Sequence, residues 1–331
     1  MLLRYQLLIT VISVGFLLTT LYNLHYMLRL PSGLPLPQGL PLVSVLIPAR
    51  NEEHNISACL KSLLAQDYPN IEIIVLDDDS SDATPGIVQQ LATLAPLVRL
   101  VQGQPLPPEW HGKTWACHQL SQQASGEWLL FVDADTRHRS DSISSSLATA
   151  DSQGLDLLSL IPDMGLKTFW ERVIMSVIPF VFVGCLPHSL ITKTPYPLLA
   201  AAIGPFMLFR ADTYRRFGGY ETVQSDIVDD VFISREVKRA GGRIALAEGV
   251  STLKVEFYQN FRQAWAGLSK SAFAAFDYSL IKATLALAAC AIIFHGPYRF
   301  LYQALGNGST DLAQFALPLI QVILVWVAMW L

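Results

Sequence analysis

Between Leu42 and Ser152, short apolar runs of β-type residues alternate with stretches of helical pattern, and this alternation narrows the fold to a βαβ series. Strands are expected over 43–47, 71–76, 98–101 and 128–132, with helices over 56–65, 83–94, 115–124 and 142–152. Such short strands, apolar on both faces, imply a mostly parallel α/β sheet covered by helices on both sides. In open sheets of this kind ligands bind beyond the carboxyl ends of the strands. Three polar clusters, 50–53, 77–82 and 133–135, fall at such ends.

The chain of 331 residues is 52% hydrophobic and only 15% charged, too apolar for an ordinary cytosolic domain. Tyr5 to Met27 carries no formal charge and is long enough to cross a hydrocarbon core of about 30 Å. No small-x-small cleavage site follows before Arg29, so the segment reads as an uncleaved anchor. The expected order is a transmembrane anchor (1–30), a Pro-rich linker (31–41), an α/β domain (42–256) with a membrane-facing segment (168–203), an interfacial helix (257–280) and transmembrane helices (281–331). Within the last, 283–305 is interrupted by Gly296, Pro297 and Arg299, and 315–331 is the cleaner span. The connection 306–314 holds Asp311 and no Lys or Arg. The positive-inside tendency therefore makes the protein integral to the cytoplasmic (inner) membrane, with the large domain in the cytoplasm.

A net charge of −4 gives no basic footprint for nucleic acid. Four cysteines without CxxC spacing read as buried thiols rather than zinc ligands or a disulfide frame.

Phe131-Val132-Asp133-Ala134-Asp135 puts two carboxylates at the end of an apolar strand. Asp133 and Asp135 suit a hard divalent cation, Mg²⁺ or Mn²⁺, which keeps positions free for water and substrate phosphates. A nucleotide diphosphate is the matching guest, although an Asp-x-Asp pair also simply ends strands in solvated turns. Lys113, in a loop ahead of a helix, is either a phosphate or sugar contact or a solvated surface group. Trp110 and Trp115 beside it pack under a sugar or in the core. Asp82 is expected to cap the helix after it. Asp229 and Asp230 open a helical stretch over 231–240 that Gly241 and Gly242 terminate; acidic residues there also complement the helix dipole.

Taken in order, PARNEE (48–53), LDDDSSD (76–82), GKTWA (112–116), FVDAD (131–135) and VDD (228–230) resemble the family 2 glycosyltransferases, the GT-A fold group, over about residues 42–242. The run PLPPEWHGKTWACHQL (105–120), with a transmembrane start and an apolar carboxyl-terminal region, is similar to membrane glycosyltransferases of carotenoid and hopanoid pathways. The resemblance implies a nucleotide-sugar donor, UDP-linked first, with Asp77 and Asp78 at the uridine and Ala49, Arg50 and Glu52 lining the same pocket. It implies cation binding by Asp133 and Asp135 at the diphosphate, Asp230 as the base that deprotonates a lipid acceptor and Asp229 as its support. The reaction would invert the anomeric centre, and a carotenoid is the first acceptor to consider. The sequence names no pathway enzyme as partner.

Two departures matter. Asp79 stands where this family often has Gly. The QxxRW signature of processive synthases is absent, the nearest run being Gln259 to Trp265, so one sugar per acceptor is expected. A processive polysaccharide synthase and an inactive membrane scaffold are the alternatives.

Overall fold

The computed structural model describes residues 2–31, 33, 35–166, 168–175, 180–256, 265, 267, 269, 273, 278–308 and 310–330. The chain divides into two compact units: one of Leu28–Thr168 and Leu190–Asn260, the other of Met1–Met27, Phe169–Ser189 and Phe261–Leu331.

The first unit is a nine-stranded mixed sheet: β1 (Leu28–Arg29), β2 (Val43–Ala49), β3 (Ile71–Asp77), β4 (Val98–Gln102), β5 (Trp128–Val132), β6 (Thr136–His138), β7 (Leu157–Asp163), β8 (Phe206–Arg210) and β9 (Ile244–Val255). The order is β1-β9-β7-β8-β5-β2-β3-β4, with β6 paired to β9. Its helices are α1 (Ile56–Leu64), α2 (Thr84–Leu94), α3 (Gly112–Gln123), α4 (Ser142–Ser152), α5 (Ala211–Phe217) and α6 (Asp229–Arg239). The expected βαβ series is therefore present, and β5, β2, β3 and β4 run parallel. Val43, Val45 and Ile47 of β2 and Leu130 and Val132 of β5 face a core shared with Cys59, Leu60 and Leu63 of α1. Leu46, Leu129 and Phe131 are buried on the other face, where Phe131 packs against Tyr214 and Tyr220. Each fully buried Leu, Ile or Phe contributes roughly 1.5–3 kcal/mol.

Connectivity creates the site. From central β2 the chain moves outward to β3 and β4, then returns to place β5 on the other flank. The β2–β5 ladder stops at the pair Leu46 and Phe131, whereas the β2–β3 ladder continues to Ala49 and Asp77. Pro48, which has no N–H to donate, is tolerated in β2 because one flank is already unpaired there. The divergence opens a crevice at a topological switch point. Antiparallel β8 pairs Phe206 with Val132, which brings Gly204 to the same end of β5.

β1, β6, β7 and β9 had no clear sequence signal. β1 begins two residues after the first helix ends at Tyr26, so Leu28 and Arg29 belong to the sheet instead of an anchor extending to residue 30.

In the second unit, helix Leu2–Tyr26 and the helical run Leu280–Gly306 are long and apolar enough to cross a membrane; Leu312–Ala328 is shorter. A π turn at Ala291–His295 precedes Pro297, and its altered register lets the helix run on past a residue that would otherwise break it. The last helix packs on the first through the Gln321 amide, which donates to Gln6 O and Oε1 and to Thr10 Oγ1. Cys59 and Cys117 are buried, but Cys185, at the end of the helical turn Phe180–Cys185, and Cys290, in the run Leu280–Gly306, are exposed. Of the expected membrane-facing segment, 169–189 belongs to this helical unit and 190–203 to the sheet unit. Most of the expected interfacial helix (257–264, 266, 268, 270–272 and 274–277), and with it most of the Gln259 to Trp265 run, lies outside the described residues.

Candidate active site

The crevice is a cleft of about 380 Å³ lined by Pro48, Ala49, Arg50, Glu52, Asp78, Gly112, Lys113, Ala116 and Asp133 to Asp135. Three strand ends and the first turn of α3 supply it, so residues scattered over 88 positions of sequence meet in one place.

The acidic turn after β5 is pinned from beneath. Thr136 Oγ1 donates to Asp133 O at 2.7 Å and lies 2.9 Å from His138 Nε2. Burial drives the His138 pKa down to about 3, so the ring is neutral, and because the Thr136 proton is committed to Asp133, Nε2 carries the hydrogen. The carboxylates thus project from a rigid turn. Asp135 Oδ1 is buried without a hydrogen-bond partner. Burial, then the charges of Asp133 and Glu52, pushes the Asp135 pKa up to about 7.

Lys113 lies in the first turn of α3, not in a loop. The apolar periodicity begins only at Trp115, so this turn leaves no mark in the residue pattern. Lys113 Nζ is 2.7 Å from Asp133 Oδ1. Desolvation alone would lower its pKa, but the Asp133 and Asp229 carboxylates outweigh it and hold the ammonium firmly charged. Trp110 and Trp115 do not line the cleft; their rings pack on each other at 5.1 Å and on His118.

Asp77 and Asp78, expected to act together, are separated. Asp78 lines the cleft 3.6 Å from Arg50 Nη1, and burial raises its pKa while Arg50 opposes the rise. Asp77 lies beneath the cleft wall, where Gln102 Nε2 donates to its Oδ2 at 3.1 Å and Oδ1 has no partner. It is the last strand residue, and its side chain points to the opposite face from that of Asp78. Asp79 takes a left-handed backbone, φ 58°, a conformation that favours glycine and that Asp tolerates better than most residues. Replacing Asp79 by Val is expected to lower the stability of the sheet unit by about 1–2 kcal/mol, whereas Gly keeps it within about 1 kcal/mol; thermal melts of the purified chain check both. Asp82 satisfies the start of α2, accepting from Thr84 N and Oγ1, and its other oxygen accepts from Glu53 N.

Asp229 and Asp230 form the first turn of α6, which ends as expected at Gly241 and Gly242, whose N–H groups donate to Lys238 O and Val237 O. The Gly204 N–H donates to Asp230 Oδ2 at 3.0 Å and the Val231 N–H to Oδ1 at 2.8 Å. A Cβ at Gly204 would sit 3.3 Å from Lys113 Nζ and 3.7 Å from Asp230 Oδ2, so the base candidate and the Lys113–Asp133 pair adjoin across this glycine. Burial, then the Asp229 charge, pushes the Asp230 pKa up to about 7. Asp229 is buried with Oδ2 unpartnered, and burial raises its pKa as well. The run GPFMLFR (204–210) reads from sequence as a strand that the family likeness puts at the acceptor side of the cleft, but the part Gly204 itself plays, through a backbone N–H and a missing side chain, leaves no mark in the sequence.

Residues 44–218 match the sequence profile of glycosyl transferase family 2. The chain belongs to this family. Among its relatives, 4,4'-diaponeurosporenoate glycosyltransferase of Staphylococcus aureus (strain USA300) is 28% identical over 232 residues, covering 69% of this chain and 60% of that protein. The enzyme of the same name from Staphylococcus haemolyticus (strain JCSC1435) is 28% identical over 221 residues, 66% of this chain and 57% of its own. The chain thus spans about 60% of the length of the curated relatives it matches. In fold, this family member is similar to the mannosyltransferase PcManGT from Pyrobaculum calidifontis, solved in complex with GDP-Man and Mn²⁺. The TM-score is 0.58 at 20% identity, over 98% of this chain and 99% of that one.

Proposed function

We propose that this family 2 protein transfers a single sugar, with inversion, from a nucleotide-sugar to a lipid acceptor at the membrane, a carotenoid first among acceptors. The observation that carries the reading is the union of Asp78 with Arg50, Asp133, Asp135 and Lys113 in one cleft, with Asp230 beside Lys113 across Gly204. The relatives named for 4,4'-diaponeurosporenoate support the acceptor class, and the GDP-Man complex of the fold relative supports a nucleotide-sugar donor.

Asp78 is suited to accept the N–H of a uracil ring, and Ala49, Arg50 and Glu52 line the wall beside it. Asp77, from beneath, fixes the end of β3. The residues present fit a divalent cation. Asp133 and Asp135 are two carboxylates on one rigid turn, and Asp135 Oδ1 is a buried acceptor without a protein donor. Among the described residues no group of three or more His, Cys, Asp or Glu is placed to hold a metal ion. When bound, such a cation screens the diphosphate and stabilises the departing nucleoside diphosphate. Lys113 adds a second fixed positive charge at the same place.

Asp230 then serves as base. Its carboxylate takes the proton of an acceptor hydroxyl while that oxygen bonds to the anomeric carbon. The bond from that carbon to phosphate breaks, and its electron pair leaves with the nucleoside diphosphate. Attack from the face opposite the leaving group inverts the centre without a covalent enzyme intermediate. The apolar helices Leu2–Tyr26 and Leu280–Gly306 support insertion in a membrane, and the absence of Lys and Arg from the connection 306–314 favours a cytoplasmic sheet unit.

The test is purified full-length protein in lipid nanodiscs, given UDP- or GDP-sugars, Mn²⁺ and a carotenoid-containing lipid extract, with products read by mass spectrometry. A lipid gaining one sugar is the expected result. Absence of both transfer and donor hydrolysis, with and without metal, would overturn the proposal.

A further inference from the structure

The helical unit holds an apolar groove of about 920 Å³ between helix Leu2–Tyr26 and the run Leu280–Gly306. Leu2, Tyr5, Ile292, Gly296 and Phe300 form its walls, and Arg299 lies among them. The groove is built. The Tyr5 hydroxyl donates to Ile292 O at 2.8 Å within the π turn Ala291–His295, a distortion that recurs at functional sites in helices. Gly296 leaves no room for a side chain, since a Cβ there would meet Tyr5 Oη, and the Tyr5 and Phe300 rings pack at 5.5 Å.

Neither helix contains an acidic residue, so nothing on either neutralises Arg299. A guanidinium with no acidic partner among the described residues, beside an apolar floor, complements a molecule that is anionic at one end and hydrocarbon at the other. Depth agrees. Arg299 is about 10 Å of helix from Gly306, and Tyr5 about 30 Å from Tyr26, which places both near the same end of their spans, at headgroup level.

We propose that this groove binds an anionic phospholipid, its headgroup phosphate at Arg299 and an acyl chain running inward past Gly296 and Ile292. The proposal rests on the membrane-spanning reading above. The test is native mass spectrometry of the full chain released from nanodiscs of equal phosphatidylglycerol and phosphatidylcholine. Wild type is expected to retain phosphatidylglycerol at least fivefold over phosphatidylcholine. Arg299→Gln should remove the preference, Arg299→Lys should restore most of it, and Ile292→Trp, which fills the groove, should reduce retention of both lipids. Equal retention of the two lipids by wild type, or an unchanged preference in Arg299→Gln, overturns the site and leaves only annular lipid. Alkaline carbonate extraction of the same membranes separates the readings. Release of wild type from the membrane sinks the spanning itself, while a retained chain without lipid preference sinks the groove alone.

Discussion

Asp230→Asn is expected to lower kcat by about 10²–10⁴-fold, the usual loss when a general base is removed, with little change in donor affinity. The amide keeps an oxygen for the Gly204 N–H, so the loop and the first turn of α6 stay in place. Because the Asp230 pKa is pushed up to about 7, the wild-type rate at saturating Mn²⁺, which holds Asp135 ionised, should fall tenfold per pH unit below that value, and this limb should vanish in the residual activity of the variant. Stability moves oppositely. A carboxyl whose folded pKa exceeds its ordinary 3.8 contributes stability fully present below that value and lost as pH rises through about 7, so the Asn variant gains on wild type across this window. Steady-state kinetics from pH 5 to 9 with thermal melts at each pH read both effects. The size of the loss also reports on the acceptor. A hydroxyl needs a base, whereas a carboxylate acceptor arrives ionised and would leave the variant nearly as active as wild type.

Asp135→Asn should be the second severe lesion, reducing turnover by roughly 10²–10³-fold or more through lost charge stabilisation at the diphosphate. It should also abolish the Mn²⁺-dependent part of nucleotide diphosphate binding measured by calorimetry. The fold is not expected to suffer, because Asp135 Oδ1 has no hydrogen-bond partner within the protein and its charge faces Asp133 and Glu52. A melting temperature equal to or above that of wild type, with metal-dependent binding gone, is the signature of a residue kept for function at some cost to stability. A variant that unfolds, or that binds nucleotide with undiminished Mn²⁺ dependence, would remove Asp135 from the site.

Much of the cleft was legible in the sequence for a physical reason. Parallel strands buried on both faces must be continuously apolar, so β2, β3 and β5 are written as Val, Ile, Leu and Phe runs, and the polar residues that end them mark the binding edge. Arg50, Asp78 and Asp133 could therefore be assigned to one edge before any coordinates. Less regular elements gave no such signal. β9 includes Glu248, Gly249 and Ser251, and its pairing with β7 is interrupted near Pro162 and Asp163, so it shows neither a clean alternation nor an apolar run. The first turn of α3 was hidden because Gly112, Lys113 and Thr114 have no apolar periodicity, although that turn is what delivers Lys113 to Asp133.

By itself, then, the order of apolar runs and polar ends determined the sheet class, because burial and backbone pairing are local demands that each segment must satisfy in its own residues, while the family and the roles of the acidic candidates came from the resemblance carried by the motifs at those ends. Tertiary structure alone decided which acids share a pocket. The early end of the β2–β5 ladder opened the cleft, antiparallel β8 carried Gly204 to it, and one strand position turned Asp77 away while leaving Asp78 inside. Those outcomes depend on how strands distant in sequence stop, reverse and face one another, which no local pattern encodes.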